Sequence, residues 1–166
     1  MNSRSIQTNN NQVISILGAG SWGGTLAWLL SQKNYNVNLW TFSKDEFEKL
    51  SKTRTLLRPK KINIGKKINI TMDLNFIAKY SDVIIFAVPS NAFEAVVKKL
   101  KNITLKKTCI LVSATKGITN LNCKRPSQIL KKYFSSHNYA VLSGPNIELD
   151  VISKNPVISI SFSITL

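Results

Sequence analysis

The chain contains 166 residues, of which 43% are hydrophobic and 19% are charged, and its formal net charge is +15 at pH 7. This length and apolar content suffice for one domain with a buried core, and they exclude a disordered tail. No apolar run approaches the ~18 to 20 residues of a membrane helix, so we expect no membrane insertion and a cytoplasmic location. Cys109 and Cys123 have neither ligand nor disulfide spacing, so no metal site is predicted.

The excess of positive charge raises the question of a nucleic-acid partner, because clustered lysines bind phosphate backbones. The lysines are instead scattered in pairs, at 60–61, 66–67, 98–99, 106–107 and 131–132, and the chain has four arginines. We therefore expect no specific nucleic-acid partner, and keep a basic nucleic-acid-associated protein as an alternative that salt-dependent binding to random DNA would test. A weak attraction for anionic ligands follows from the charge itself.

The first half of the chain alternates short apolar runs with helical periodicity, after a polar segment at residues 1–12 that we expect to be a flexible leader. Residues 13–166 are predicted to form the domain. The predicted elements are a strand at Val13–Leu17, a helix at 22–33, a strand at 37–40, a short helix at 45–51, a loop at 52–67 and a strand at Ile68–Thr71.

The second half repeats the pattern more clearly. Asp73 is predicted to cap a helix that buries Leu74, Ile77 and Ala78, and the helix that carries Phe93 and Leu100 is predicted to be capped near Ser90. Pro126 suits the first position of a further helix. The strands are predicted at 83–88, 109–114 and 139–142.

Strands and helices that alternate in this way predict an α/β fold, a Rossmann-like doubly wound sheet that is mostly parallel, with helices on both faces. Ligands of such sheets bind beyond the carboxyl ends of the strands. The loops to examine are therefore 18–23, 41–44, 89–93, 115–118 and 143–146.

The loop after the first strand carries Gly18, Gly20 and Gly23 at GxGxxG spacing, between a buried strand and a helix. In this context the first glycine permits a tight turn, the second lets a pyrophosphate approach the backbone, and the third allows close helix packing. The motif predicts dinucleotide binding. A tight turn without any ligand is the alternative.

The end of the second strand bears on the choice between NAD and NADP. An acid about 20 residues into the motif would bind the adenosine ribose of NAD, but this chain has Trp40 to Lys44 there and its first acid is Asp45. Ser43 and Lys44 are instead placed to meet a 2′-phosphate. The cofactor is thus expected to be NAD or NADP, with NADP accepted.

Five motifs in order, "GAGSWGGTLA", "LW", "DVIIFAVPSNAF", "VSATKGI" and "LSGPN", make residues 13–158 resemble the N-terminal domain of NAD(P)-dependent glycerol-3-phosphate dehydrogenase. The resemblance implies an oxidoreductase that interconverts sn-glycerol 3-phosphate and dihydroxyacetone phosphate and so supplies phospholipid precursors.

The resemblance also implies roles for residues at matching positions. Ser21 and Trp22 would contact the cofactor together with the glycines, and Lys116 would lie between cofactor and substrate. Gly144 and Asn146 would contact the substrate through the turn after the last parallel strand. The alternatives are a solvated loop lysine for Lys116 and a plain turn at Gly144.

The chain also departs from the family pattern. Phe42 stands where the family usually has a basic residue, Glu148 stands where a small residue is expected, and "RTLLRPKKINI" fits poorly to a Tyr-Leu-Pro-like segment.

No catalytic base is expected within this chain, because the resemblance places the lysine that accepts the C2 hydroxyl proton in a following helical domain. Residues 158–164 alternate apolar and serine side chains, which predicts a half-buried strand needing cover from a homo-oligomer or a partner chain. We expect a truncated, cofactor-binding half; a catalytically silent NAD(P)-binding module or truncated remnant is the alternative.

Overall fold

A computed structural model describes residues 11–118, 123–145, 147–155 and 160–164. Most of the leader predicted at 1–12 lies outside this part of the chain. Within the described ranges, no helix has both the length and the apolar character needed to cross a membrane.

The strands are β1 (Val13–Leu17), β2 (Asn36–Trp40), β3 (Thr55–Leu56), β4 (Ile62–Asn63), β5 (Ile68–Thr71), β6 (Val83–Phe86), β7 (Ile110–Ser113), β8 (Tyr139–Ser143) and β9 (Ile160–Ile164). The helices are α1 (Ser21–Gln32), α2 (Lys44–Thr53), α3 (Leu74–Tyr80), α4 (Ser90–Lys101), α5 (Pro126–Tyr133) and α6 (Glu148–Ile152).

The main sheet has the strand order β5-β2-β1-β6-β7-β8-β9. Its first six strands are parallel, and β9 joins the edge antiparallel to β8. The chain therefore winds outward from β1 through β2 to β5, and then crosses back to β6 on the other side of β1. This reversal between β1 and β6 is the topological switch point of a doubly wound sheet. The predicted fold class is confirmed.

Neighbouring residues of β1 point into two different cores, as expected for a strand covered on both faces. Ile16 packs with Leu26 of α1 and Leu50 of α2, while Leu17 packs with Phe93 of α4 and Leu130 of α5. Burial of such a side chain contributes about 1.5 to 3 kcal/mol. Hydrophobic packing on both faces thus fixes the sheet that positions its carboxyl-end loops.

The predicted helix caps agree with the structure in part. The Asp73 carboxylate accepts a hydrogen bond from the Asn75 amide at 2.8 Å, and Pro126 is the first residue of α5, as predicted. The helix predicted to be capped near Ser90 begins at that residue, but its N-cap is Pro89, which makes no side-chain capping hydrogen bond. Helix α6 was not predicted, because its five residues are too few to show a helical period.

The segment 52–67, predicted as a loop, contains the antiparallel pair β3–β4. Leu56 and Ile64 are buried there, and the Arg54 guanidinium closes the segment by donating to the Gly65 carbonyl at 2.8 and 2.7 Å and to the Ile68 carbonyl. The prediction failed because each strand of this pair is only two residues long, and Pro59 and several basic residues separate them, so no alternation extends over a typical strand length.

Asp82 fastens the amino-terminal edge of the sheet, opposite the switch-point loops. Its carboxylate accepts hydrogen bonds from the Val13 amide and from the Lys106 ammonium, both at 2.9 Å. Its backbone amide donates to the Val13 carbonyl, and its carbonyl accepts from the Ile110 amide. The Val13 hydrogen bond, followed by that of Lys106, holds the pKa of Asp82 below its usual value.

We predict that Asp82→Asn lowers the free energy of unfolding by about 1 kcal/mol at pH 7, since the side chain is partly solvated. The pKa of Asp82 is depressed in the folded state, so this stabilisation is full above about pH 4 and is lost as the pH falls through the folded-state pKa. Urea unfolding between pH 7 and pH 3 should show the two proteins converging in acid. Asp45→Asn, an exposed acid on α2, is the control and should change little.

Candidate functional site

A cleft of about 440 Å³ opens at the switch point, between the loop after β1 and the loop after β6. Three short segments line it, at residues 18–22, 41–43 and 87–89, together with Glu46 from α2. All three segments follow parallel strands, so the cleft lies where doubly wound sheets bind their ligands. The sequence-predicted loops 18–23, 41–44 and 89–93 meet here.

Two of the three motif glycines are required by the fold itself. Gly18 has a φ of +114°, and a Cβ there would lie 2.7 Å from the Ala87 carbonyl oxygen. A Cβ at Gly23 would lie 1.9 Å from the Gly18 carbonyl oxygen. These glycines let α1 begin directly against the β1 loop, with that loop pressed onto the end of β6.

Gly20 is different, because neither its backbone nor its packing calls for glycine. Its φ is −65°, and a Cβ there would have no atom of the described residues within 4 Å. Such a Cβ would lie in open space, and Gly20 is one of the residues that line the cleft. The absence of a side chain at Gly20 therefore keeps space open at the start of α1, which is what close approach of a phosphate to backbone amides requires.

Helices α1 and α4 begin on the two sides of the switch point, and neither has a side-chain N-cap from the described part of the chain. Among the described residues, Gly20 and Pro89, the N-caps of α1 and α4, make no side-chain capping hydrogen bond. By contrast, the Ser43 and Asp73 side chains cap α2 and α3. Amides in an uncapped first turn carry partial positive charge toward the solvent or a ligand. The cleft therefore favours an anion.

Lys116 adds a full positive charge near the same place. It lies in the loop after β7, and its Nζ is 5.3 Å from the centre of the Trp22 ring, a cation–π distance. The Thr115 hydroxyl donates to the Val88 carbonyl at 2.9 Å, which ties this loop to the one after β6. Ser21 and Trp22 line the cleft. The structure thus brings Lys116 together with the glycine loop.

The residues predicted to contact the substrate are not brought to the cleft in the part of the chain that the structure describes. Gly144 follows β8 at the same carboxyl edge, with a φ of +149°, but it is not among the described residues that line the cleft. Asn146 lies outside the described residues. Glu148 is in the first turn of α6, a helix that packs against α1.

Two residues in and beside the cleft were missed from the sequence. A Cβ at Gly24 would lie 2.7 Å from a methyl of Leu56, so this fourth glycine lets the β3–β4 pair pack on α1. Glu46 lines the cleft and accepts a hydrogen bond from the Thr41 hydroxyl, whereas Asp45, the first acid after β2, is exposed. The adjacent Gly23-Gly24 pair was a sequence signal for Gly24. No pattern in the neighbouring sequence indicated that Glu46 contacts Thr41.

Comparison with known proteins decides the family. The family model described as "NAD-dependent glycerol-3-phosphate dehydrogenase N-terminus" matches residues 13–162. The chain belongs to this family.

Relatives in this family align with most of this chain. Glycerol-3-phosphate dehydrogenase [NAD(P)+] from Thermoanaerobacter sp. (strain X514) is 35% identical over 153 residues, covering 92% of this chain and 46% of the relative. The enzyme of the same name from Wolbachia sp. subsp. Brugia malayi (strain TRS) is 36% identical over 143 residues, covering 86% and 43%. The chain therefore spans about half the length of the curated relatives it matches.

Solved structures of the family share the fold. The crystal structure of glycerol-3-phosphate dehydrogenase from Coxiella burnetii superposes with a TM-score of 0.81 at 25% identity, covering 93% of this chain and 47% of that one. Glycerol-3-phosphate dehydrogenase from Plasmodium falciparum gives a TM-score of 0.74 at 25% identity, covering 90% and 45%.

We predict that two alanine substitutions in the glycine loop differ in their effect on the free energy of unfolding. Gly23→Ala should lower the free energy of unfolding by at least about 2 kcal/mol, because its methyl group overlaps the Gly18 carbonyl and α1 must move. Gly20→Ala should change stability by less than about 1 kcal/mol, because its methyl group meets open space.

Thermal and urea unfolding of both variants measure this difference. Equal stability of the two variants would contradict the view that Gly23 serves packing while Gly20 serves the cleft.

Proposed function

We propose that this chain is the cofactor-binding domain of an NAD(P)-dependent sn-glycerol-3-phosphate dehydrogenase, which interconverts sn-glycerol 3-phosphate and dihydroxyacetone phosphate. The observation that carries the proposal is the open space at Gly20, between two helix starts that lack side-chain caps. Family membership supplies the substrate class, since the relatives carry that activity in their names. Residues 13–166 form the domain in this proposal.

In the proposed complex, amides of the first turn of α1 hold the pyrophosphate of the dinucleotide. Gly20 leaves room for this approach, Gly18 and Gly23 let the loop and α1 pack closely enough to form the site, and Ser21 and Trp22 lie against the same ligand. When bound, the nicotinamide ring supplies the hydride acceptor or donor for the substrate's C2 atom. The chain's own contribution is to bind and orient, and to balance phosphate charge at the helix ends.

In the proposed complex, Lys116 lies between the cofactor and the substrate. Its ammonium emerges from the carboxyl edge of β7 near Trp22, where it neutralises phosphate charge between cofactor and substrate. Gly144 and Asn146 contact the substrate in this proposal. Lys116 must stay cationic for this role, so it does not serve as the proton acceptor.

Oxidation of the C2 hydroxyl needs a proton acceptor whose pKa lies near the working pH. We place that proton acceptor in the part of the relatives that this chain does not match. We place no catalytic group in this chain.

A second copy or a partner chain pairs with β9, the edge strand of the sheet. The protein works in the cytoplasm in this proposal.

The first test is dinucleotide binding by isothermal titration calorimetry. The 166-residue chain should bind NADH, and Gly20→Val should weaken binding by at least about tenfold, because its side chain fills the space kept for the pyrophosphate. Circular dichroism and thermal unfolding should show that the variant keeps its fold. Undiminished NADH binding by a folded Gly20→Val protein would overturn the proposed site.

The second test separates an enzyme from a silent binding module. We expect no reduction of dihydroxyacetone phosphate by this 166-residue chain with NADH. We expect turnover when the part of a relative that this chain does not match is fused to it. If the fusion protein binds NADH but does not reduce dihydroxyacetone phosphate, the catalytically silent binding module is favoured.

A further inference from the structure

The carboxyl end of β2 is where dinucleotide-binding folds usually carry the acid that binds the adenosine ribose. In this chain β2 ends at Trp40, and Thr41, Phe42 and Ser43 follow it into the cleft. None of these residues is acidic. The sequence therefore shows no ribose-binding acid at the usual place.

The structure brings an acid back to that place from the next helix. The buried Thr41 hydroxyl accepts a hydrogen bond from the Ser43 amide at 3.2 Å and donates one to the Glu46 carboxylate. The Ser43 hydroxyl in turn accepts a hydrogen bond from the Glu46 amide at 3.3 Å. The side chain of Glu46 is thus held by Thr41 and its backbone amide by Ser43, two of the three residues that follow β2.

Glu46 also forms part of two walls. It lines the 440 Å³ cleft at the switch point, and it lines a neighbouring cavity of about 380 Å³ between α1, α2 and the β3–β4 pair. Ala19, Gly20 and Ser21 line both spaces as well. A dinucleotide whose pyrophosphate lies at Gly20 therefore has the Glu46 carboxylate beside its path, whichever of the two spaces its adenosine enters.

We propose that Glu46 is the ribose-binding acid of this chain and that it makes the site select NAD over NADP. This inference rests on the proposed function. A carboxylate accepts hydrogen bonds from the two hydroxyls of an unmodified adenosine ribose. The same carboxylate repels a 2′-phosphate, which carries like charge.

The cations near α2 do not cancel this preference. Lys44, the residue that the sequence offered to a 2′-phosphate, extends to Glu48 with a 3.8 Å contact, and its side chain is 80% exposed. Lys49 and Arg58 line the neighbouring cavity and are exposed to solvent. Charges in solvent are screened, whereas Glu46 is half-buried and held by Thr41. The fixed negative charge therefore dominates at the end of β2.

Calorimetric titration of the 166-residue chain with NADH and then NADPH tests the inference. The unmodified chain should bind NADH at least about tenfold more tightly than NADPH. Glu46→Gln keeps an oxygen that accepts from the Thr41 hydroxyl but removes the charge, so it should reduce this ratio to less than about threefold, mainly through tighter NADPH binding.

Asp45→Asn is the matched control, because it removes one negative charge from the same helix turn but lies outside both spaces. It should leave the ratio unchanged, and thermal unfolding should show that both variants are folded. Equal binding of NADH and NADPH by the unmodified chain, or an equal loss of both in Glu46→Gln, would overturn the inference alone. Failure to bind either dinucleotide would overturn the proposed function together with it.

Discussion

The contact between Gly23 and the carbonyl of Gly18 is the constraint on which the site depends. A hydrogen atom at Gly23 fits where a Cβ would lie 1.9 Å from that oxygen, so α1 starts directly on the loop that precedes it. The same loop is held from both sides, since the Gly18 amide donates to the Trp40 carbonyl and the Ala87 amide donates to the Leu17 carbonyl. Backbone, rather than side chains, therefore fixes the direction in which the first amides of α1 point.

This constraint explains why the sheet and the glycine loop could be predicted from sequence. Strands buried on both faces are mostly apolar, so β6 appears as a continuous apolar run and β1 as a run interrupted only by Ser15. A turn with positive φ and a helix packed onto backbone require glycine at fixed spacing, so Gly18 and Gly23 show up as a motif. In each case the physical demand acts on adjacent residues, and a local pattern records it.

The missed features depend on side-chain contacts that a local sequence pattern records only in part. The β3–β4 pair owes its position to Leu56 packing on Gly24 and to Arg54 reaching the carbonyls of Gly65 and Ile68. Glu46 enters the cleft because Ser43 starts a helix whose first turn carries the side chain back to Thr41. A search for an acid directly after β2 therefore finds only the exposed Asp45.

Charge gives the two ends of the cleft different characters. The chain holds 23 lysines and arginines against 8 acids, so a surface position is far more often cationic than anionic. Near the starts of α1 and α4 this bias is reinforced by uncapped amides and by Lys116, which together suit phosphate. At the end of β2 the bias is reversed by the single carboxylate of Glu46, which accepts a hydrogen bond from the Thr41 hydroxyl, while the Glu46 amide donates to the Ser43 hydroxyl. A ligand with a phosphate-rich middle and a hydroxyl-bearing sugar matches that order of charges, whereas one with an added phosphate on that sugar does not.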